Sequence, residues 1–482
     1  MTHRPNVIVI LTDDQGYWAL GCAGNEEIRT PNLDRLAASG TRFENFFCVS
    51  PVCSPARASL LTGCIPSRHG VHDWLRAGNT TYADHENRGL IEYLEDQPGY
   101  TDFLSQNGYT CGLSGKWHLG DSHHPQKGFS YWAAYALGGG HYYKPIMIKD
   151  EKAIEESLYV TDIITDSALR FLDRQKESDE PFYLSVHYTA PHSPWERAQH
   201  PRDLWDGYFE NCPFDSVPRD PMHPWHIQTF RDVFESETRR REFLAGYYAA
   251  TTAMDTGVGR ILDWLDAQGL REDTLVFFTS DNGMNMGHHG IIGKGNSTYP
   301  MNMYDTSVKV PAIVSYPDTI ARGESRHELL SHYDFMPTLL DFLDIENPKA
   351  EILPGQSFAP LLRGENFSQR ENVVVFDEYG PVRMIRNREW KYVQRKSEGF
   401  DELYHLAEDP GERTNLAGEP SRKPVIDEMR NALSDFFRAY SDPRNDGWTL
   451  NVRGGGQVGE AEKGNLSFRD HAEHENRSKR RE

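Results

Sequence analysis

The sequence contains no apolar run approaching the roughly 18 to 20 residues that a membrane-spanning helix needs, so no such helix is expected. It is short of positive charge: 51 Lys and Arg stand against 72 Asp and Glu, a formal net charge of −21. A field of that sign repels polyanions, which argues against nucleic acid and against anionic membrane surfaces as partners. Cysteine is scarce, with 6 residues in 482 (Cys22, Cys48, Cys53, Cys64, Cys111 and Cys212), and no two of them have CxxC spacing. That excludes a disulfide framework and a zinc knuckle, so any cysteine that matters here matters singly. No secretory leader is visible before the first strand-like run, and the expected location is cytoplasmic. What is present is globular: 38% hydrophobic, 26% charged and 12% aromatic residues exclude whole-chain disorder and supply a large core.

Short apolar, β-branched runs mark candidate buried parallel strands at Val7 to Leu11, Tyr109 to Leu113, Phe182 to Val186, Leu275 to Phe278 and Pro311 to Val314. Between them lie helical patterns. The clearest runs from about Glu242 to Leu265, and another from Tyr333 to Leu343 carries Pro337 as a kink or start. Alternation of this kind predicts an α/β fold with a mostly parallel central sheet flanked by helices, reaching to about residue 365. From Glu371 the texture changes to short β-rich runs and then a helical stretch from Val425 to Tyr440, which predicts a smaller C-terminal α+β subdomain with an antiparallel sheet. The expected organisation is a catalytic unit 1–365, a subdomain 366–452 and a polar tail 453–482.

In open α/β sheets ligands bind beyond the carboxyl ends of the strands. The first candidate strand runs out into Asp13 and Asp14, the second into Lys116 and His118, the third into His187 and then His192, the fourth into Asp281 and Asn282. Each alone reads as a helix cap, a packed histidine or a turn. Four strand ends together are harder to dismiss. Asp13, Asp14, Asp281 and Asn282 offer only oxygen ligands, which suits a hard divalent cation, calcium first and magnesium second. Such a cation also removes the repulsion between adjacent carboxylates.

The segment from Pro51 to Gly63, PVCSPARASLLTG, carries a C-x-P-[SA]-R pattern followed by a short helix and Thr-Gly. With LTDDQG, TPNLDRLAASGTRFENFF, GKWHLG, APHSP, DNG before GHHG, and LYHLAEDPGERTNLA in that order, the chain resembles the type I sulfatases of the alkaline phosphatase superfamily over about residues 5 to 417. The resemblance implies that Cys53 is converted by a formylglycine-generating maturation enzyme, and that its hydrated aldehyde is the nucleophile and a metal ligand. It implies Asp13, Asp14, Asp281 and Asn282 as the other metal ligands, Arg57 and Lys116 as holders of the diol, and His118 as the base that releases sulfate. His192 and Lys294 should contact the sulfate and the leaving oxygen, with His192 as general acid. Ala56 departs from the Ser of many members, and Cys64 stands where Arg is common.

The expected activity is hydrolysis of sulfate monoesters on small sulfated carbohydrates. Its rivals are a phosphonate or phosphate ester hydrolase of the same superfamily and a catalytically silent protein that binds sulfated glycans. The aromatic-rich segments His72 to Arg76, Tyr131 to Lys144 and Trp195 to Trp225 are candidates for sugar contact, although aromatic loops more often pack on themselves. The tail after Val452 is expected to cross to a neighbouring subunit of a homo-oligomer, with packing along its own subunit as the alternative.

Overall fold

The run Asn6–Asp13 is buried at every residue, as a strand covered on both faces must be. In the computed structural model, which describes residues 4–82, 86–368, 375–396, 399–461 and 467–470, this strand is central to an 11-stranded sheet. Its side chains alternate: Val7, Val9 and Leu11 enter one core cluster, Ile8 and Ile10 the other. Phe182–Pro191 and Thr274–Ser280 flank it in parallel. Thr110–Lys116 and Phe129–Tyr135 extend the parallel order beyond Phe182–Pro191.

Helices cover both faces. Leu33 and Leu36 of Pro31–Ala38, Ile164 and Phe171 of Val160–Gln175, and Val258 and Ile261 of Glu237–Ala267 pack on the side of Ile8 and Ile10. Leu60 of Cys53–Thr62, Leu104 of Tyr100–Gln106 and Met336 of His332–Phe342 pack on the side of Val7 and Val9. The helix Glu237–Ala267 begins before its first apolar residue because Ser236 caps it, accepting the Arg239 N–H at 3.3 Å. Pro337 lies inside His332–Phe342 rather than at its start.

One expected strand departs from the parallel rule. Ala312–Ser315 runs antiparallel to both Thr274–Ser280 and Thr41–Phe47. Its residues are as buried as those of the parallel strands, and composition reports burial, not direction. Toward the C-terminus Val375–Tyr379, Val382–Arg386, Trp390–Arg395 and Glu402–His405 form a separate antiparallel sheet. The helix Lys423–Tyr440 covers it through Met429, Leu433 and Phe437.

The segment after Val452 is not a solvated tail: over residues 453–461 and 467–470 it packs along its own chain, the alternative to the expected crossing. Val458 and Phe468 are buried, and Gln457 forms β-bridges to Leu75 and to Phe468 of its own chain. Residues 471–482 lie outside the described residues. Among the described residues no helix is long and apolar enough to cross a membrane, and all 6 cysteines are unpaired.

The two long aromatic loops meet at Tyr142 and His200, while Trp195, Tyr208 and Phe214 pack on the helix Glu237–Ala267. Tyr142 is buried, stacks on Tyr159 and lies 4.6 Å from the His200 ring. His200 Nε2 donates to the Pro194 carbonyl at 2.9 Å, leaving Nδ1 to accept from the Tyr159 hydroxyl. Burial pushes this imidazole down to about 4. The folded protein therefore binds fewer protons than the unfolded chain between that value and about pH 6.5, and stability, full above pH 6.5, falls as pH drops through this window. The term amounts to about 3 kcal/mol. Replacing His200→Gln removes it, so the melting-temperature deficit of the variant should be largest at pH 7.5 and shrink by pH 4.5. A deficit that stays constant with pH would contradict the assignment.

Candidate active site

Asp13 is the last residue of Asn6–Asp13, and Asp14 follows in the left-handed region at φ 63°, a conformation aspartate tolerates. The Asp14 N–H donates to Asp281 Oδ1 at 3.1 Å, joining the ends of two neighbouring strands. Asn282 Nδ2 donates to Asp14 Oδ1 at 2.8 Å. Lys116, at the end of a third strand, places Nζ 2.5 Å from Asp13 Oδ2. Lys294 Nζ donates to Asp14 Oδ1, and His192 Nε2 lies 3.7 Å from Asp14 Oδ2. Residues more than 260 positions apart in sequence thus meet at one edge of the sheet.

The helix Cys53–Thr62 brings the remaining groups. All 10 of its residues are buried, and its first turn has no side-chain cap, so the partial positive charge of its N-terminus is unspent. Cys53 opens the helix and Arg57 stands one turn on, the spacing that puts two side chains on one face. Arg57 Nε donates to Asp281 Oδ2 at 2.8 Å, Nη1 to the Lys116 carbonyl at 3.0 Å, and Nη2 lies 4.0 Å from Asp13 Oδ1. Gly63, at φ 69°, ends the helix, and Lys349 Nζ donates to the Thr62 carbonyl at 2.8 Å beside Cys64. A cation thus reaches this helix terminus from elsewhere in the chain.

Burial raises the Cys53 thiol against the pull of Lys116 and Lys294, so unmodified Cys53 is not a thiolate nucleophile. For Asp13 burial dominates over Lys116 and pushes the carboxyl up to about 6. For Asp14 burial acts the same way but is outweighed by Lys294 and His192, and for Asp281 by Arg57, Lys116 and Lys294, so both are held below the ordinary carboxylate range. His118 is held well below its usual range by burial, then by Lys116 and Arg57, and is neutral.

The His118 ring is fixed by Leu75, whose carbonyl lies 3.0 Å from Nε2. A carbonyl only accepts, so Nε2 carries the proton and Nδ1 the lone pair. His187 Nδ1 similarly donates to the Lys116 carbonyl at 3.1 Å and supports the end of that strand. His289 stacks on Tyr304 at 3.8 Å, and its backbone N–H donates to Asp220, so it is packed with other residues.

The donor set fits a hard cation. Asp13, Asp14 and His192 present ligand atoms within 4.8 Å of one another, and Asp13 Oδ1 is buried without a hydrogen-bond partner. Asp281 and Asn282 are joined to the same cluster by the bonds described above. The His192 contact was not part of the ligand set expected from sequence.

Cys53, Asp14, His118, His192 and Lys294 line one pocket of about 630 Å³, within the range of small-ligand sites. Trp74, Arg76, Asn79, Thr80, Glu86 and Thr229 also line it. Arg76 pairs with Glu86 at 3.4 Å, and Arg469 with the same carboxylate at 2.8 Å. All three aromatic-rich segments reach the pocket, through Trp74 and Arg76, Gly138 and Gly139, and Trp195, whereas Asn79, Thr80, Glu86 and Thr229 lie outside them. Gly138 and Gly139 complete the wall: a Cβ on Gly138 would lie 2.2 Å from His118 Nε2, and one on Gly139 would lie 2.9 Å from His192 Cε1. The Gly-Gly-Gly run was the signal for this close backbone approach.

A buried carboxylate cluster at the carboxyl edge of a mostly parallel sheet, beside a helix that opens on Cys53, is compatible with a metal-dependent hydrolase. The sulfatase family profile matches residues 5–345, and a second profile, N-sulphoglucosamine sulphohydrolase C-terminal, matches residues 298–439. The chain belongs to the sulfatase family, the enzymes that hydrolyse sulfuric esters. It is 28% identical to N-acetylglucosamine-6-O-sulfatase of Bacteroides thetaiotaomicron over 92% of this chain and 88% of that one. It is 30% identical to the uncharacterized sulfatase YidJ of Escherichia coli over 93% and 90%. A protein solved in complex with its substrate D-glucosamine-2-N,6-O-disulfate superposes with a TM-score of 0.75 at 25% identity, over 92% of this chain and 99% of that one. The phosphonate monoester hydrolase of Silicibacter pomeroyi shares the fold, with a TM-score of 0.71 at 20% identity over 91% and 96%.

The fit at Gly138 gives a direct check. Substituting Gly138→Ala should push His118 off the Leu75 carbonyl and lower kcat by tenfold or more, while the melting temperature shifts by only a few degrees. Unchanged kcat would show that the close approach is incidental.

Proposed function

We propose that this chain hydrolyses sulfate monoesters on small carbohydrates, using a formylglycine derived from Cys53 and a divalent cation, calcium before magnesium. The observation that carries the reading is the convergence of Cys53 with Arg57, Lys116, His118, His192 and Lys294 around the carboxylate cluster. In this reading residues 1–365 are the catalytic unit, 366–452 a supporting subdomain, and a maturation enzyme acting on the Cys53 to Arg57 segment is an obligatory partner.

Asp13, Asp14, Asp281 and Asn282 would hold the cation beside residue 53, which would acidify the hydrated aldehyde there and draw charge from the ester oxygens. Arg57 and Lys116 orient residue 53, both anchored on carboxylates of the cluster. Lys294 and His192 face the ester from the Asp14 side. His192 supplies the proton to the departing alcohol oxygen, and His118 Nδ1 takes a proton from residue 53 when sulfate is released. An ordinary serine or thiol at position 53 would be left as a stable ester, whereas an aldehyde hydrate has a second hydroxyl through which to expel sulfate. The carbohydrate assignment is supported by the relative acting on N-acetylglucosamine-6-O-sulfate groups, by the neighbour bound to a glucosamine disulfate, and by the polar and aromatic lining of the pocket.

Protein co-expressed with a maturation enzyme should carry a carbonyl at residue 53 by peptide mass spectrometry and turn over sulfated monosaccharides. The Cys53→Ser variant should fold and be inactive. Chelation should abolish turnover, with calcium restoring more than magnesium. Full sulfatase activity in protein bearing only the thiol, or faster turnover of phosphate and phosphonate esters than of sulfates, would overturn the proposal.

A further inference from the structure

The segment after Val452 is coupled to the site through the backbone of one residue, Leu75. Gln457 donates its backbone N–H to the Trp74 carbonyl and accepts the Arg76 N–H, both at 2.8 Å, forming a parallel bridge about Leu75. In such a pairing the N–H and C=O of the intervening residue point the other way. Those of Leu75 point into the site: its N–H donates to Ser54 Oγ at 3.0 Å, next to Cys53, and its carbonyl accepts from His118 Nε2 at 3.0 Å.

Gln457 is itself anchored and is fully buried. Its Oε1 accepts the His72 N–H at 2.9 Å, and Nε2 donates to the Gly70 and Gly459 carbonyls at 3.0 and 2.9 Å. Asp73 adds a second tie, accepting the Gly456 N–H at 3.0 Å on Oδ2 and the Tyr379 hydroxyl and Trp74 N–H on Oδ1. The terminal segment, the 70–76 loop and the C-terminal sheet are thereby locked around Leu75. His118 Nδ1, the ring atom left without the proton, is buried and makes no hydrogen bond.

We propose that Gln457 is a positioning residue: by clamping Trp74 and Arg76 it aims the Leu75 carbonyl at His118 Nε2 and so fixes the tautomer in which Nδ1 is the base. The proposal rests on the assignment of His118 as that base. It gives the segment after Val452 a catalytic consequence without any contact between Gln457 and substrate, and the bonds that transmit it are backbone bonds.

The test uses full-length matured protein, its Gln457→Ala variant, and Asp73→Asn, which loosens the same clasp from its other side without removing volume. Turnover of 4-nitrophenyl sulfate, which carries no sugar to grip the pocket walls, is measured together with ¹⁵N-histidine NMR, the His118 signals being identified by their loss in His118→Gln. In both variants kcat should fall about tenfold to a hundredfold with KM within about twofold. The His118 nitrogens should move from the pure Nε2–H pattern toward a mixture of tautomers, at melting temperatures still well above the assay temperature. If both variants keep kcat within about twofold and the parental ¹⁵N pattern, the proposal is wrong. It is equally wrong if the loss falls on KM alone, since the segment would then be only a wall of the pocket. Full activity in His118→Gln would instead remove the assignment of the base, and the NMR pattern would still decide whether Gln457 sets the tautomer.

Discussion

Buried carboxylates at one sheet edge are the constraint around which the rest of this molecule is organised. Asp13, Asp14 and Asp281 are essentially excluded from water, and each ion so placed costs several kcal/mol unless it is paired and hydrogen-bonded. Arg57, Lys116 and Lys294 supply that pairing, one cation for each carboxylate. The balance leaves the cluster near neutrality. A divalent cation held there would give it a net positive charge and let a site within a chain of −21 attract an anionic ester, since the local field is set by the cluster and not by the sum.

The geometry of that pairing explains why the fold has to be this one. Carboxylates and cations from several elements have to meet, and the parallel sheet delivers Asp13, Lys116 and, just past Ser280, Asp281 to one edge, where Arg57 arrives on a helix and Lys294 on a loop. The helix Cys53–Thr62 lies across that edge with Arg57 one turn behind Cys53. Any change that unpaired Arg57 would strand the charge on Asp281 and release the Lys116 carbonyl that Arg57 and His187 both grip. The charges therefore hold the helix Cys53–Thr62 in register with the sheet.

Much of this was legible in the sequence, for a reason particular to the residues concerned. Asp13, Lys116, His118, Asp281 and Asn282 follow short buried strands directly, so their place at the sheet edge comes with the strand itself. The direction of Ala312–Ser315 was not legible, because an apolar strand looks the same run either way. The contribution of Leu75 was hidden more deeply, since it acts through its peptide and any side chain there has the same N–H and C=O. That residues 453–461 and 467–470 pack along their own chain was not legible, because a polar stretch carries no apolar face to say what it packs against. Here Gln457 is fully buried, and its polar atoms are matched one by one to backbone groups of residues 70–76 and to Gly459.

This division between side chains and backbone separates the chemistry of the site from its specificity. Asp13, Asp14, Asp281, Arg57, Lys116 and Lys294 are tied to one another by charge pairs, so they have little freedom to vary in position, whereas His118 is held by the Leu75 carbonyl. Part of the pocket wall is built from the loop around Trp74 to Thr80, from Glu86 and from Thr229, the loop being held by main-chain bonds to the terminal segment and by the Glu86 pairs with Arg76 and Arg469. Loops held in that way can change sequence without disturbing the carboxylate cluster. The loop around Trp74 to Thr80, with Glu86 and Thr229, is therefore where the pocket can be refitted without unpairing the carboxylate cluster.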